Sequence, residues 1–505
     1  MRPGIGRTVA PKRPLHRRFL PAPEPAEPPI PVLPNPTRPE PSTQWFRDLY
    51  PGEPEACRRD LRPFLLNLTH LALLLAVFQV FKIEERPFQG HTFKTLVTLA
   101  LLALPAHYLA PLRWKKPIFL AASIAGLFLV AGAWVSTIVL VIAAAFIGAC
   151  FLPVPWAVRA SICAVMAVAI ACARPALAAA GIPADAWAIA ASMLMFRMII
   201  LLYELKHARA PESPLDAAAY FFLLPNYCFF HFPVVDYRTM QRGYFAAEVH
   251  ATQARGLAMM FRGTLHILAY RLVYQRLLIV PAEVQGLAEL VGFIVCNYLL
   301  YLHVSGQFHL ACGMLHLFGY QLPETHHRYL LATSFTDYWR RINIYWKDFM
   351  IRIFFNPVVF RLKKWPRPAA LAAATVVVFL ATWLLHAYQM FWLCGAWGLT
   401  VPSALFWGTL GVLVAINVQL DARRPSAQRV APAPARGIGA RVVATLGRSA
   451  RILGTFTVIA ILWSLWSSPT LGAWLDMVGR GLRGSWVFPT PAELIDAVLG
   501  GANGS

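Results

Sequence analysis

Two side chains of this 505-residue sequence have the chemistry of a catalytic pair, a histidine and an asparagine. His386 lies in an apolar stretch, Leu371 to Leu393, that is long enough to cross a bilayer. An ionisable ring in such a stretch is a functional hypothesis by default, because burying it without a partner is costly. Asn343 lies earlier in the chain, at the polar border of an aromatic segment. An imidazole can accept a proton and a carboxamide can donate a hydrogen bond, so the pair suits general-base chemistry.

The segment that carries Asn343 is predicted to form one helix from Ser334 to Phe349. Ser334 is followed three residues later by Asp337, a capping-box pattern that is typical of a helix start. Asn343 lies about 100° round the helix axis from an aromatic stripe, where its polar end can point into a crevice. The stripe consists of Phe335, Tyr338, Trp339, Ile342, Trp346 and Phe349.

Each of the two residues also has an ordinary structural interpretation. A histidine in a spanning helix often bonds a backbone carbonyl or a neighbouring helix. An asparagine at a helix border is more often a capping or packing residue than a catalyst. Residue type and position alone leave these alternatives open.

The composition is that of a polytopic membrane protein. Hydrophobic residues make up 58% of the sequence and charged residues only 14%, whereas a soluble protein carries about 25% charge. We predict an all-α transmembrane bundle of roughly eleven apolar segments, some of them re-entrant or broken around a central chamber. The segments are residues 64–81, 95–112, 117–133, 134–152, 156–173, 186–203, 264–280, 288–304, 371–393, 402–420 and 453–468.

The net charge of +22 is concentrated between the apolar segments. From Arg340 to Arg367, eight Lys or Arg stand against one acidic residue, and from Asp421 to Arg451, seven Arg stand against one Asp. Positively charged loops are typical of the cytosolic side of a membrane protein. The orientation of the loops in the membrane therefore explains the positive charge, and a nucleic-acid partner is not expected. The N-terminus is predicted to be cytosolic.

Composition divides the chain into five segments. Residues 1–61 are rich in proline and lack apolar periodicity, which is typical of a disordered cytosolic tail, with a proline-rich docking ligand as the alternative. Residues 62–199 are predicted to be N-terminal transmembrane helices, and residues 200–420 the core with the candidate site. Residues 421–451 form a basic cytosolic loop near anionic lipid, and residues 452–505 a C-terminal helix and tail.

The run from Ser305 to Asn343 is similar to the core signature of the membrane-bound O-acyltransferase (MBOAT) family. Members show Leu-Phe-Gly, then Leu-Pro-Glu, then a serine that leads into an acidic residue, an aromatic, tryptophan and two arginines. The matching residues are Leu317-Phe318-Gly319, Leu322-Pro323-Glu324, Ser334-Phe335 and Asp337-Tyr338-Trp339-Arg340-Arg341, with Asn343 two residues on. His386 matches the histidine of the family, and Phe221 to Thr239 resembles its segment before the core. The similarity covers roughly residues 200–420.

The resemblance implies an acyltransferase that has no bound cofactor and uses an acyl-CoA or acyl-carrier thioester as co-substrate. It implies His386 as general base and Asn343 as the residue that orients the donor or stabilises the oxyanion. Desolvation in the membrane is expected to keep the imidazole neutral. The thiol leaving group needs little acid assistance, because its pKa is about 8.5. The expected acceptor is a hydroxyl of a carbohydrate or lipid. The other expected partners are membrane lipids and a soluble or periplasmic protein that completes the reaction. The expected location is a bacterial inner membrane.

The acceptor class stays open, because the chain departs from the polysaccharide-modifying members. The long match is closest to bacterial proteins of the alginate O-acetylation or D-alanyl transfer type. Members that acetylate exopolysaccharide usually have His where this chain has Asn343, and Gly where it has Ala387. Asn at that position is more typical of members that acylate lipids, sterols or proteins.

Donor binding is the function predicted for the basic and aromatic residues beside Asn343. Guanidinium and ammonium groups bind phosphates such as those of coenzyme A or phosphopantetheine. The alternative is that the basic residues only set the topology. The residues are Arg340, Arg341, Lys347, Trp339 and Trp346.

Two alternative functions are retained. The first is a non-catalytic transporter or scaffold with the same fold, which turnover of an acyl donor would distinguish from an enzyme. The second is a polyprenyl-phosphate glycosyltransferase, which needs paired acidic metal ligands that the sequence does not show.

A His231-x-x-x-x-Asp236 pattern resembles that of a soluble acyltransferase class, but Pro233 interrupts the helix that would align the pair.

The remaining histidines of the core are predicted to have structural roles. His303 and His309 would face different sides of a helix, and His309 and His316 would lie about 10 Å apart along its axis, too far to share one metal ion. No metal site is therefore predicted. His326 and His327 follow a proline in a polar turn and are expected to be solvated.

Overall fold

A computed structural model describes residues 50, 52–83, 92–192, 196–207, 213–222, 235–423 and 437–499. Regular structure in these residues is helical apart from one isolated β-bridge, between Tyr244 and Tyr320, and the predicted all-α class is confirmed. The helices are α1 (Leu61–Val80), α2 (Thr92–Leu109), α3 (Leu112–Phe151), α4 (Trp156–Ala179), α5 (Ala184–Ser192), α6 (Met198–Lys206), α7 (Pro214–Phe221), α8 (Tyr237–Gly243), α9 (Val249–Leu272), α10 (Leu287–Leu299), α11 (Tyr301–Leu317), α12 (Phe335–Arg341), α13 (Ile344–Met350), α14 (Asn356–Arg361), α15 (Arg367–Cys394), α16 (Val401–Arg423), α17 (Ile438–Trp466), α18 (Leu471–Arg483) and α19 (Pro491–Leu499).

Three predicted features lie wholly or largely outside the described residues. They are the proline-rich tail, most of the segment Phe221 to Thr239, and the first half of the basic loop 421–451. The described regular structure also includes π-helical turns at Val273–Leu277 and Ile351–Phe355, and 3₁₀ turns at Glu55–Cys57, Pro281–Glu283 and Tyr329–Leu331.

Eight helical segments of the described chain are long and apolar enough to cross a bilayer, so the protein is an integral membrane protein. Seven of them coincide with single helices, and one combines α10 with α11. The segments are Leu61–Val80, Thr92–Leu109, Leu112–Phe151, Trp156–Ala179, Leu287–Leu317, Arg367–Cys394, Val401–Ala422 and Ile438–Trp466.

This number is lower than the roughly eleven apolar segments predicted, for physical reasons. Segments 117–133 and 134–152 are the two halves of α3, which meet at Gly132 in a non-helical conformation (φ 74°, ψ 168°). Segment 186–203 is divided between the short helices α5 and α6. Segment 264–280 is the end of α9 and its π turn, and α9 is too polar to be counted as a span.

Helices α9 and α11 cross at backbone contact through two pairs of glycines. A Cβ atom on Gly256 would lie 2.6 Å from the carbonyl oxygen of Gly313, and a Cβ atom on Gly263 would lie 2.6 Å from that of Gly306. The two glycines of each helix are two turns apart and therefore face the same side. Close approach of this kind needs small residues. The crossing fixes α11, which contributes to the candidate site.

The helix predicted to begin at Ser334 is interrupted and forms α12 and α13. The side chain of Ser334 accepts a hydrogen bond from the backbone N–H of Asp337 (3.1 Å), which confirms the predicted start. Helix α12 ends at Arg341, because Ile342 is extended (φ −88°, ψ 133°) and Asn343 is left-handed (φ 40°, ψ 65°). The prediction of one continuous helix was therefore wrong.

Tertiary hydrogen bonds explain this break. The backbone N–H of His327 donates to the carbonyl oxygen of Arg341 (2.9 Å), and the N–H of Ile344 donates to that of Thr325 (2.7 Å). Backbone groups on both sides of Asn343 thus form hydrogen bonds with the loop before α12 instead of with groups of the same helix. Asparagine tolerates the left-handed conformation better than most residues, so this position can turn the chain.

Candidate active site

A cavity of about 260 Å³ lies where helices α11, α12, α13, α15, α16 and α17 meet. Both predicted catalytic residues, His386 of α15 and Asn343 at the start of α13, line it. The fold therefore brings together two side chains that are distant in sequence. The aromatic part of the lining consists of Tyr301, Tyr338, Trp339, Trp346, Phe406, Trp407, Trp463 and Trp466.

The cavity is uncharged. None of the described residues that line it is Asp, Glu, Lys or Arg, and its polar side chains besides the aromatic ones are Asn343, His386, Gln389 and Ser403. Hydrogen bonds and partial charges act more strongly in surroundings of this kind than in water. The few polar groups present are therefore the ones that can orient a ligand.

The imidazole of His386 lies among indole rings from three other helices. Trp407 of α16 stacks on it, with ring centroids 4.8 Å apart and planes inclined by 20°. Trp346 of α13 lies at 5.3 Å and 39°, and Trp466 of α17 meets the ring edge-on at 5.8 Å and 77°. Such contacts are individually favourable and together fix the plane of the ring.

Asn343 combines a structural role with an available hydrogen-bond donor. Its Oδ1 accepts a hydrogen bond from the backbone N–H of Trp346 (3.2 Å) and so caps α13. Within the part of the chain that the structure describes, no group accepts a hydrogen bond from its Nδ2. The capping interpretation left open by the sequence is therefore correct. The cap holds the carboxamide in place and leaves its NH₂ group available to a ligand.

The predicted donor-binding residues divide into two groups. Trp339 and Trp346 line the same cavity as His386. The three basic residues, Arg340, Arg341 and Lys347, do not line it. They lie on α12 and α13, the short helices next to the cavity. Their role in donor binding stays a prediction.

Two of those basic residues are engaged with acidic neighbours. Nε of Arg341 lies 2.6 Å from Oδ1 of Asp337, and Nζ of Lys347 lies 2.9 Å from Oδ1 of Asp348. Arg340 is exposed and forms no ion pair with any described residue. Arg340 is therefore the member of the group that is free to meet a phosphate.

A second cavity, of about 160 Å³, lies against a different face of α13 and its π turn. Its lining is charged, with Asp236, Asp348 and Arg352. The guanidinium of Arg352 lies 3.1 Å from Oδ1 of Asp236 and also contacts the fully buried carboxylate of Glu204. Sequence reasoning missed this network, although an acidic residue in the apolar helix α6 was a signal of it.

Two further sequence predictions concern the His231–Asp236 pattern and a metal site. His231 of the His231–Asp236 pattern lies outside the described residues, and Asp236 caps α8 by accepting from the N–H of Thr239 (3.0 Å). In the described chain, no group of three or more His, Cys, Asp or Glu side chains is arranged to hold a metal ion.

The prediction that His326 is solvated was wrong. His326 is only 1% exposed, and its Nε2 lies 2.9 Å from the hydroxyl of Tyr301. Its loop is drawn inward because the preceding Thr325 bonds the helix break at Ile344. His327 is half-buried, and its Nδ1 lies 3.1 Å from Oε2 of Glu324.

Sequence reasoning also missed several residues of the cavity wall. Trp407, Trp466 and Tyr301 were counted only as members of apolar segments. Besides the predicted aromatic stripe, the signs of an aromatic wall were Trp463 and Trp466, one helical turn apart in a predicted span.

The sequence matches no protein-family model, and no curated protein matches it significantly. The resemblance to the MBOAT family therefore rests on the residues quoted above.

Proposed function

We propose that the protein is a membrane O-acyltransferase that moves an acyl group, such as acetyl, from a thioester to a hydroxyl of a carbohydrate or lipid. One observation carries the proposal: His386 and Asn343 line a single uncharged cavity. One base and one amide donor are a sufficient minimal set for this reaction.

In the proposed reaction, the acceptor oxygen attacks the thioester carbonyl while His386 accepts the hydroxyl proton. Asn343 donates a hydrogen bond from Nδ2 to the carbonyl oxygen, where negative charge develops. The carbon–sulfur bond then breaks, and the imidazolium returns the proton to the thiolate. The products are an ester and a free thiol, so atoms and charge balance.

The proposed location is a bacterial inner membrane with the N-terminus in the cytosol. Basic residues cluster between the spans, and basic loops favour the cytosolic side. The thioester donor, acyl-CoA or an acyl carrier, would then arrive from the cytosol. The acceptor and a soluble or periplasmic partner protein complete the proposed set of partners.

The test is acyl transfer by the purified protein in liposomes, supplied with a radiolabelled acyl thioester and envelope lipids or glycans. We expect the wild-type protein to transfer the label and His386→Ala to lose transfer by at least about 100-fold. His303→Ala is a matched control. His303 lies in a spanning segment and stacks on the ring of Tyr270, with centroids 4.6 Å apart, but it does not line the cavity. Equal transfer by His386→Ala and the wild type would contradict the proposal.

A further inference from the structure

One polar contact at the cavity wall has no part in the reaction described above. Tyr301, the first residue of α11, lines the cavity, and its hydroxyl lies 2.9 Å from Nε2 of His326. His326 lies in the loop between α11 and α12 and is buried. Its other ring nitrogen, Nδ1, is inaccessible to solvent and bonds to none of the described residues.

The burial of His326 determines its charge. Burial, with a contribution from the nearby His309 and His266 rings, lowers the pKa of His326 well below its ordinary value. The ring is therefore neutral and carries one N–H, on either Nε2 or Nδ1.

The surroundings of the two ring nitrogens favour one tautomer. A proton on Nδ1 of His326 would leave a buried N–H donor without a partner, and orphaned N–H groups are rare because they are costly. A proton on Nε2 is instead donated to the oxygen of Tyr301 and leaves only an unpaired lone pair at Nδ1. The Nε2–H tautomer is thus the more stable one.

This tautomer sets the direction of the tyrosine hydroxyl. Because the oxygen of Tyr301 accepts a hydrogen bond from His326, its own O–H proton must point elsewhere. Edge-on contacts with Trp463 (5.2 Å, 73°) and Tyr329 (5.4 Å, 85°) hold the phenol ring. The O–H proton of Tyr301 is therefore available to an acceptor other than His326.

We propose that Tyr301 donates a hydrogen bond to an oxygen atom of the substrate, as a second donor beside Asn343, and that His326 positions it. The proposal rests on the acyl transfer proposed above, in which the thioester carbonyl oxygen gains negative charge. A carboxamide and a phenol would together form an oxyanion hole made of side chains. Tyr301 is then a candidate catalytic residue, and His326 is a positioning residue that acts through it.

The first test is kinetic. Tyr301→Phe removes only the hydroxyl, and we expect kcat to fall about 100-fold with a small change in KM, because the bond strengthens in the transition state. The double variant Tyr301→Phe/His326→Asn should be no slower than Tyr301→Phe alone, because both changes remove the same hydrogen bond.

A matched pair of substitutions at His326 tests the positioning role. The amide of glutamine reaches as far as Nε2 and keeps an N–H for Tyr301, whereas the amide of asparagine reaches only as far as Nδ1. We expect His326→Asn to lower kcat as much as Tyr301→Phe, and His326→Gln to recover most of that loss. His327→Asn, at the half-buried neighbour outside the cavity, is the control. Equal rates for His326→Asn and His326→Gln, or a wild-type rate for Tyr301→Phe, would overturn the proposal.

The second test does not depend on turnover. The measurement is the NMR spectrum of protein with ¹⁵N-labelled histidine. The ring-nitrogen signals that disappear in His326→Gln belong to His326, and we expect them to show a protonated Nε2 and an unprotonated Nδ1. A protonated Nδ1 would overturn the proposal. If the wild type shows no His386-dependent transfer, the proposed function fails and the role of Tyr301 falls with it. If the wild type transfers and Tyr301→Phe is equally fast, only the role of Tyr301 falls.

Discussion

The imidazole of His386 lies nearly parallel to the indole of Trp407, with centroids 4.8 Å apart and an angle of 20° between the planes. The two residues belong to neighbouring helices, α15 and α16, that are joined by a short connection. A stacked indole limits rotation of the ring about its Cβ–Cγ bond without occupying a ring nitrogen. The contact therefore orients the candidate base while leaving its nitrogens to other partners.

Removal of this contact should slow the reaction without unfolding the protein. We expect Trp407→Leu to lower kcat about tenfold to 100-fold, because a misoriented base reacts poorly, and Trp407→Phe to keep most of the rate. Steady-state transfer assays in liposomes measure both. Trp397→Leu is the control, since Trp397 is 56% exposed and does not line the cavity. A wild-type rate for Trp407→Leu would show that stacking has no part in orienting His386.

Asn343 offers a way to separate the capping role from the donor role. Asn343→Asp keeps an oxygen that accepts from the N–H of Trp346 and also tolerates the left-handed conformation, but it loses the NH₂ donor. We expect this variant to keep the cap and to lose at least about 100-fold in kcat, because it removes the donor and adds a negative charge where the oxyanion develops. Asn343→Ala loses the cap as well and should be less stable by about 2 kcal/mol.

The measurements for Asn343 are thermal unfolding in detergent and transfer rates on the same preparations. A stable Asn343→Asp variant with wild-type kcat would show that the carboxamide serves only as a cap.

Arg340 is expected to bind the phosphates of the thioester donor. It is exposed and forms no ion pair within the described chain, whereas Lys347 is engaged with Asp348. We expect Arg340→Gln to raise the KM for acyl-CoA about fivefold with unchanged kcat, since one charge-assisted hydrogen bond is lost, and Lys347→Gln to have a smaller effect. The effect should vanish with a short thioester that lacks phosphates. An equal rise in KM for both donors would exclude phosphate binding by Arg340.

The glycine crossing predicts a difference between two Gly→Ala substitutions. A Cβ on Gly263 would lie 2.6 Å from the carbonyl oxygen of Gly306, whereas a Cβ on Gly454 in α17 would have no neighbour within 4 Å. We expect Gly263→Ala to destabilise the protein by about 1–3 kcal/mol through overpacking. Gly454→Ala should be neutral or slightly stabilising, because alanine favours the helix. Unfolding temperatures in detergent test the pair, and equal temperatures would mean that α9 and α11 can separate at little cost.

Much of the helical architecture was predictable, because it depends on local pattern. The apolar segments predicted a membrane protein, and Ser334 with Asp337 predicted a helix start that the structure has. The two halves of α3 were also located correctly, although Gly132 joins them within one kinked element.

The break at Asn343 was not predictable in the same way. Its neighbours favour a continuous helix, and the bonds that stop the helix come from Thr325 and His327, which belong to the preceding loop. The aromatic wall has the same origin. Trp407 and Trp466 reach His386 only because α16 and α17 pack beside α15. The glycine spacing in α9 and α11 is visible in the sequence, but its partner helix is not.

The short helix α13 separates the two cavities and presents a different face to each. Trp346 borders the uncharged cavity, while Tyr345 and Phe349 border the charged one. Helix α13 begins at the left-handed Asn343 and continues directly into the π turn Ile351–Phe355 and α14. The two cavities therefore share one wall, and a substitution that shifts the backbone of α13 changes the shape of both.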